Sequence, residues 1–306
     1  MGTIVVIGSI NMDVVSHVEH HPLPGETIHG TNTGNFPGGK GANQAVAAAR
    51  SGASVTMLGA VGEDAFGQAL KDSLAASGVG IHAVLTKTGT SGLAFIAVNA
   101  EGENTIILSA GANGQLMEAD IEAARAEWTG ASAILLQNEI PWETTRFVLE
   151  QASAAGVRVF LNPAPALKLP QDVFPWIDTI IVNETEAQIV TGIAVSGADS
   201  SEQAADALIG LGVRAAIVTL GEKGCFYKDK VGERVGMPAF RVEPKDTTAA
   251  GDTFIGAFAA EQASGAGIEQ SLRFAAAASA IAVTKEGAQA SIPAKADTLA
   301  FLQERA

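Results

Sequence analysis

Short, wholly apolar runs recur along this chain: "TIVVIG", "SVTMLGAVG", "SAILLQ", "VRVFLNP", "DTIIVNE" and "RAAIVTLG". Between them lie alanine-rich stretches with helical spacing, such as "ANQAVAAARSG", "AFGQALKDSLAASGVG" and "TTRFVLEQASAAGV". Strands that are apolar on both faces and separated by helices predict a parallel sheet covered on both sides, an α/β fold. Two of the helical stretches end in "SG" ahead of a strand, where glycine suits the left-handed position that closes a helix.

Two segments break the pattern. Residues 13 to 36 alternate apolar and polar side chains, and residues 92 to 109, "GLAFIAVNAEGENTIILS", read as a hairpin turning at "AEGEN". These β pieces predict a small separate sheet, a lid. From Gly251 onward the chain reads as helical, and the small residues of "RFAAAASAIAV" suit close buried packing. No linker interrupts residues 1–306, so the expectation is a single domain.

Composition narrows the class. With 306 residues, 47% hydrophobic and 17% charged, the chain has material for a large core. Thirty-three acidic against 19 basic residues give a net charge of −14, which argues against nucleic acid or an anionic membrane as partner. The first residues read as a strand rather than a signal peptide. A lone cysteine, Cys225, reads as a small buried thiol and allows no internal disulfide, so a cytoplasmic location is expected. His17, His20 and His21 alternate along a lid strand and read as solvated, and Trp128, Trp142 and Trp176 read as packing residues.

Two stretches invite chemistry. In "FPGGKGANQA" three glycines surround Lys40, but Gly41 stands where a phosphate-binding P-loop needs Ser or Thr for Mg²⁺. In "DTTAAGDTFIGAF" small residues lead into a helix with Asp252 in its first turn. Free N–H groups of Ala249, Ala250 and Gly251 at a helix N-terminus suit a phosphoryl group, and Asp252 beside them could take a proton from an attacking hydroxyl. On spacing alone, Asp246 or Asp252 could equally be a helix cap. "VVIGSINMD" lacks the glycine spacing of a dinucleotide fingerprint, which argues against an oxidoreductase.

"GGKGANQA" and "DTTAAGDTF" together resemble the two signature regions of the ribokinase-like (PfkB) carbohydrate kinases. "GSINMD", "PGET", "GENTIILSAGAN", "LNPAPA", "NETEA", "TLGEKG" and "AIAVTKEGAQASIP" extend the resemblance over nearly the whole chain. It implies a three-layer α/β/α fold with a mainly parallel central sheet and a β lid. It also implies ATP-dependent phosphorylation of a sugar, with D-ribose phosphorylated at O5. Asp252 would be the general base, and the Ala249–Gly251 amides the anion hole.

For the sugar, the resemblance points to Asn11, Met12 and Asp13, to the loop Gly39, Lys40, Gly41, Ala42 and Asn43, and to Glu139. In this loop the glycines would let backbone approach the sugar. For ATP it points to Asn183, to Thr219, Leu220, Gly221, Glu222, Lys223 and Gly224, and to Gly251 and Asp252. Ala276 stands where relatives often place a polar residue near adenine. Glu186 would hold Mg²⁺ through water. A K⁺ ion would sit among Asp246, Thr248, Ala282, Lys285, Gly287 and Ser291, in part through backbone carbonyls. The family also implies a homodimer joined through the lid. A kinase for another sugar or a nucleoside, and a non-catalytic sugar-binding protein, are the alternatives on the same fold.

Overall fold

The protein is described here by a computed structural model covering residues 2–305. In chain order its strands are β1 (Thr3–Ile7), β2 (Asn11–His17), β3 (Asn32–Gly38), β4 (Ser54–Gly62), β5 (Gly80–Lys87), β6 (Gly92–Val98) and β7 (Asn104–Ser109). Then come β8 (Ala133–Gln137), β9 (Val159–Asn162), β10 (Thr179–Val182), β11 (Ala215–Thr219), β12 (Cys225–Asp229) and β13 (Arg234–Met237). The helices are α1 (Lys40–Arg50), α2 (Ala65–Ala76), α3 (Glu118–Ala123), α4 (Arg125–Trp128) and α5 (Trp142–Ala154). They continue with α6 (Glu184–Thr191), α7 (Ala198–Leu211), α8 (Ala250–Ala263), α9 (Ile268–Ala282) and α10 (Lys295–Glu304).

Nine strands form the large sheet in the order β13-β12-β11-β10-β9-β8-β1-β4-β5. Its strands pair parallel from β11 through β5, and only the β12 and β13 edge is antiparallel. Alternation divides the apolar strands between two cores. Ile4 and Val6 of β1 join the core beneath α1, α8 and α9, whereas Val5 and Ile7 join the opposite one beneath α5 and α7. The result is a three-layer α/β/α architecture. The "SG" helix ends behave as read, because Gly52 and Gly78 both have left-handed φ, +95° and +82°.

The second sheet has the order β3-β2-β6-β7, with β2 and β6 parallel and both flanking pairs antiparallel. The alternation read over residues 13 to 36 yields strand only at its two ends. Residues 18 to 31 contain no strand, because Pro22 and Pro24 lack the N–H a ladder needs, and Glu26 instead accepts a hydrogen bond from the Leu23 N–H at 2.9 Å. Strands β5, β12 and β13 escape a search for apolar runs. They lie toward the sheet edges, and their sequences mix polar with apolar residues.

Order along the large sheet reverses at β1, which sits between β4 and β8 although β4 follows it directly in that sheet. In open α/β sheets a crevice forms at such a point, outside the carboxyl ends of the strands. Ser9 and Asn11 follow β1, Glu139 follows β8, Asn162 ends β9, Asn183 follows β10 and Thr219 ends β11. The topology therefore delivers polar side chains from five strand ends to a single rim.

Candidate active site

Helices α1 and α8 run alongside each other in the same sense, and small residues set their distance. A Cβ on Gly256 would lie 2.5 Å from the carbonyl oxygen of Gln44 and 2.6 Å from the Ala47 Cβ. One turn earlier on each helix, Asn43 and Gln44 meet Asp252. Asn43 Nδ2 donates to Asp252 Oδ2 and Gln44 Nε2 donates to Oδ1, each at 3.0 Å. Asp252 is buried, and its carboxylate turns to these amides rather than to its own helix end. That geometry removes the capping reading of Asp252, since α8 starts without a side-chain cap.

The start of α8 is unusual. Ala249 has φ 59° and ψ 12°, and among the described residues it is the one non-glycine with positive φ. Ala250 N–H is taken by the Thr247 carbonyl at 3.2 Å, while those of Ala249 and Gly251 find no acceptor among the described residues. Ser279 on α9 fixes the turn by donating to the Ala250 carbonyl at 2.9 Å. Two of the three N–H groups read from the sequence are thus free, and with the Asp252 N–H, which also finds no acceptor among the described residues, they suit an anion at the positive end of a helix.

A cavity of about 220 Å³ opens here, lined among others by Lys40, Asn162, Asn183, Glu186, Thr219 and the Ala249–Asp252 turn. Lys40 comes from the far end of the sequence, carried in by the first turn of α1. Burial alone would lower the pKa of its ammonium, but Asp252, Glu139, Glu186 and Asp13 around it raise it on balance. Asn183 and Glu186 form a reciprocal capping box on α6, and Asn162 Nδ2 donates to Glu186 Oε2 at 3.1 Å. Burial raises the Glu186 pKa despite the hydrogen bond from the Asn183 N–H and the nearby Lys40 charge. Thr219 Oγ1 donates to the Val182 carbonyl at 3.3 Å. Leu220 to Gly224 form the tight turn beyond β11 and, like the half-buried Ala276 of α9, do not line this cavity.

Next to it stand the residues implied for a sugar. Asp13 is buried at the join between the sheets, with Gly38 nearby leaving it space, since a Cβ there would come within 2.1 Å of its carboxylate. Burial first, then Glu139 and Asp252, push the Asp13 pKa up to about 7 against the pull of Lys40. Glu139 Oε2 accepts from Ser9 Oγ at 2.5 Å and from the Lys40 N–H at 3.2 Å, so it braces the glycine loop. Burial raises its pKa also, while Lys40 and Ser9 oppose the rise. Gly39 has φ 90°, and a Cβ on Gly41 would lie 2.7 Å from the Ser9 nitrogen, so both glycines answer to backbone demands. Asn43 Oδ1 is buried without a partner, so its capacity to accept a hydrogen bond is unspent.

Two implied members sit elsewhere. Alternation along β2 sends Met12 into the core while Asn11 and Asp13 share the opposite face, so only the Met12 backbone faces the crevice. Ala42 is likewise fully buried. The set implied for K⁺ is drawn together by Asp246, which accepts from the Thr248 and Gly287 N–H groups at 2.8 Å each. Lys285 N–H donates to the Ala282 carbonyl at 3.0 Å, and Ser291 Oγ donates to the Ala288 carbonyl at 2.8 Å.

Sequence reasoning passed over Asn113, Gln44, Gln137, Ser9 and Asn162 as site residues. Asn113 holds Asn11, and Gln137 Nε2 donates to Gln44 Oε1 at 2.6 Å. Each lies inside a stretch already singled out ("GENTIILSAGAN", "GGKGANQA", "SAILLQ", "GSINMD" and "LNPAPA"), and a buried polar group among apolar residues was the available signal.

The chain is 41% identical to a ribokinase of Haemophilus influenzae over 98% of both proteins. It is 38% identical to a deoxyribokinase of Salmonella typhi over 95% of each. Its structure is similar to that of Arabidopsis thaliana ribokinase complexed with ribose and ATP, with a TM-score of 0.90, 32% identity and 99% of each chain covered. A family model described as pfkB family carbohydrate kinase matches residues 1–295, and the chain belongs to that family.

Proposed function

We propose that this chain transfers the γ-phosphoryl group of ATP to O5 of D-ribose, giving ribose 5-phosphate and ADP. The observation that carries the reading is Asp252, buried and hydrogen-bonded by Asn43 and Gln44 at the mouth of a turn with unsatisfied N–H groups. A carboxylate at that place can accept the proton of the sugar hydroxyl as its oxygen attacks phosphorus in line. The Ala249 and Gly251 N–H groups then meet the charge that develops on the phosphoryl oxygens, with Lys40 contributing its cation.

Sugar selection would rest on Asn11, Asp13, Gly39, Asn43 and Glu139. Hydroxyls are donors and acceptors at once, and amide and carboxylate groups fixed at strand ends can satisfy several together. The cavity lining fits nucleotide phosphates: one lysine, free amides and the polar ends of β9, β10 and β11. Mg²⁺, bound through water near Asn183 and Glu186, would neutralise phosphate charge. Both Glu186 oxygens already accept hydrogen bonds, which fits contact through water better than direct ligation. K⁺ would be held by Asp246 and backbone carbonyls of residues 282–291, oxygen ligands that suit a hard cation.

The test is a phosphorylation assay with ATP against D-ribose, 2-deoxyribose, other pentoses and hexoses, and nucleosides. The reading expects ribose to have the highest kcat/KM, and a nucleoside or another sugar in that place would overturn it. Asp252→Asn should retain sugar and nucleotide binding while turnover falls about two to four orders of magnitude.

A further inference from the structure

Behind Asp252 lies a directed chain of amides that the chemistry above leaves unused. Gln137, at the end of β8, donates through Nε2 to Gln44 Oε1 at 2.6 Å, and Gln44 donates through Nε2 to Asp252 Oδ1 at 3.0 Å. Gln44 and Gln137 are fully buried. The direction is self-consistent: a carboxylate only accepts, so Gln44 must turn its N–H₂ toward Asp252, which leaves its oxygen for Gln137. Space for Gln137 depends on Gly8, where a Cβ would lie 2.1 Å from Gln137 Oε1 and 3.1 Å from the Gly41 Cα.

We propose that Gln44, oriented by Gln137, is a positioning residue that locks Asp252 Oδ1 into the α1–α8 interface, so that Oδ2 is the oxygen that accepts the sugar proton. The two oxygens have different partners. Oδ1 faces a fully buried relay that ends on Gln137 of the central sheet, whose own Oε1 has no partner. Oδ2 faces Asn43, whose own Oδ1 is unpartnered and whose amide can pivot to the sugar as a hydroxyl replaces it at the carboxylate. Removing the relay frees the carboxylate to rotate about its terminal bond, and deprives its charge of one of two N–H donors in a buried place.

This inference rests on Asp252 being the base, and the experiment separates the two. Gln44→Met keeps length and volume but cannot donate. The expected result is a fall in kcat of about ten- to a hundredfold with sugar and ATP KM changed less than about threefold, as for loss of alignment in the transition state. Gln137→Met breaks the same relay one step back and should give a smaller loss, again in kcat rather than in KM. It decides the matter if Gln44→Met fails to fold. An unaltered kcat, or a loss confined to KM, in the folded variant overturns the positioning role. Full activity in Asp252→Asn would instead overturn the base assignment itself.

Discussion

Asn113 holds Asn11 by the oxygen of its amide. Asn113 Nδ2 donates to Asn11 Oδ1 at 2.7 Å, and the Asn113 amide also accepts from the Ile10 N–H at 2.9 Å and donates to the Ile10 carbonyl at 3.2 Å. One side chain thus serves the backbone of the β1–β2 link and fixes the rotamer of its neighbour. With its oxygen occupied, Asn11 presents its N–H₂ to the crevice. Gly92 is required alongside, since a Cβ there would lie 2.1 Å from Asn113 Nδ2 and 2.2 Å from Asn11 Oδ1.

Asn113→Ala should therefore raise the sugar KM about tenfold or more while leaving the ATP KM near its original value. The buried Ile10 groups left without partners should cost about 1–3 kcal/mol of stability. Steady-state kinetics with each substrate varied, together with a denaturation curve, checks both. An unchanged sugar KM would place the Asn113–Asn11 contact outside sugar binding.

Ala249 offers a cleaner backbone test. Its left-handed conformation strains any residue with a Cβ by about 1 kcal/mol, and branching at Cβ adds to that. Ala249→Gly should match or exceed the parent in stability, whereas Ala249→Val should lose about 1–3 kcal/mol and reduce turnover by misdirecting the free N–H groups. Equal stability of the glycine and valine variants would contradict the strain. The sugar KM should move little in either, because the turn faces the phosphoryl side of the site.

How far the sequence discloses this molecule depends on range. The apolar runs that became β1, β4, β8, β9, β10 and β11 read directly because burial on both faces leaves no room for polar residues. Strands β5, β12 and β13 were invisible to that search, since their edge or antiparallel setting tolerates mixed side chains. The two signature stretches could be found by local pattern, and their meeting is a property of topology alone: Asn43 and Asp252 are 209 residues apart. The relay through Gln137 and Gln44 was not legible either. Nothing in a single sequence says which buried amides face one another. Asn183 and Glu186 show the converse, since their spacing is that of a capping box whatever else they do.

The loop at Asp246 predicts a monovalent-ion response. Asp246 joins residues 246–248 to the 282–291 loop through its bonds to Thr248 and Gly287, and Gly287 needs its φ of 86° for that approach. Turnover should rise when K⁺ replaces a large non-coordinating cation such as tetramethylammonium. In Asp246→Ala that response should vanish and turnover should stay low in both salts. Equal activity of the parent protein in the two salts would refute the ion site.

The small sheet carries exposed Phe36, Phe95, Ile106, Ile107 and Leu108. By register Phe36 and Leu108 share the face of Asp13, while Phe95 and Ile107 share the other. An apolar edge of this kind calls for cover, and a second copy of the chain is the occupant we propose. Sedimentation at micromolar concentration should give a dimer, and Phe95→Glu with Ile107→Glu should shift it toward monomer and raise the sugar KM. A monomeric parent protein would remove the proposal.

Asp13 makes the site sensitive to pH near neutrality. Burial, Glu139 and Asp252 raise its pKa to about 7 from the ordinary 3.8, with Lys40 opposing. The folded state therefore holds a proton on Asp13 that the unfolded chain has released. Its stabilising contribution is complete below about pH 4 and is lost as pH rises through about 7, on the order of 1.4 kcal/mol for each pH unit between those limits. Asp13→Asn keeps the neutral form's shape at every pH. Its melting temperature should therefore exceed that of the parent by more at pH 8.5 than at pH 5. Sugar binding should respond in the opposite sense. A carboxylate accepts hydrogen bonds from two hydroxyls where its acid form must donate one, so the sugar KM of the parent should fall as pH rises from 6 to 8, and the high KM of Asp13→Asn should not. If the melting-temperature difference is the same at both pH values, Asp13 is ionised in the folded protein throughout the range, and its neighbours Lys40 and Glu139 carry the balance of charge differently.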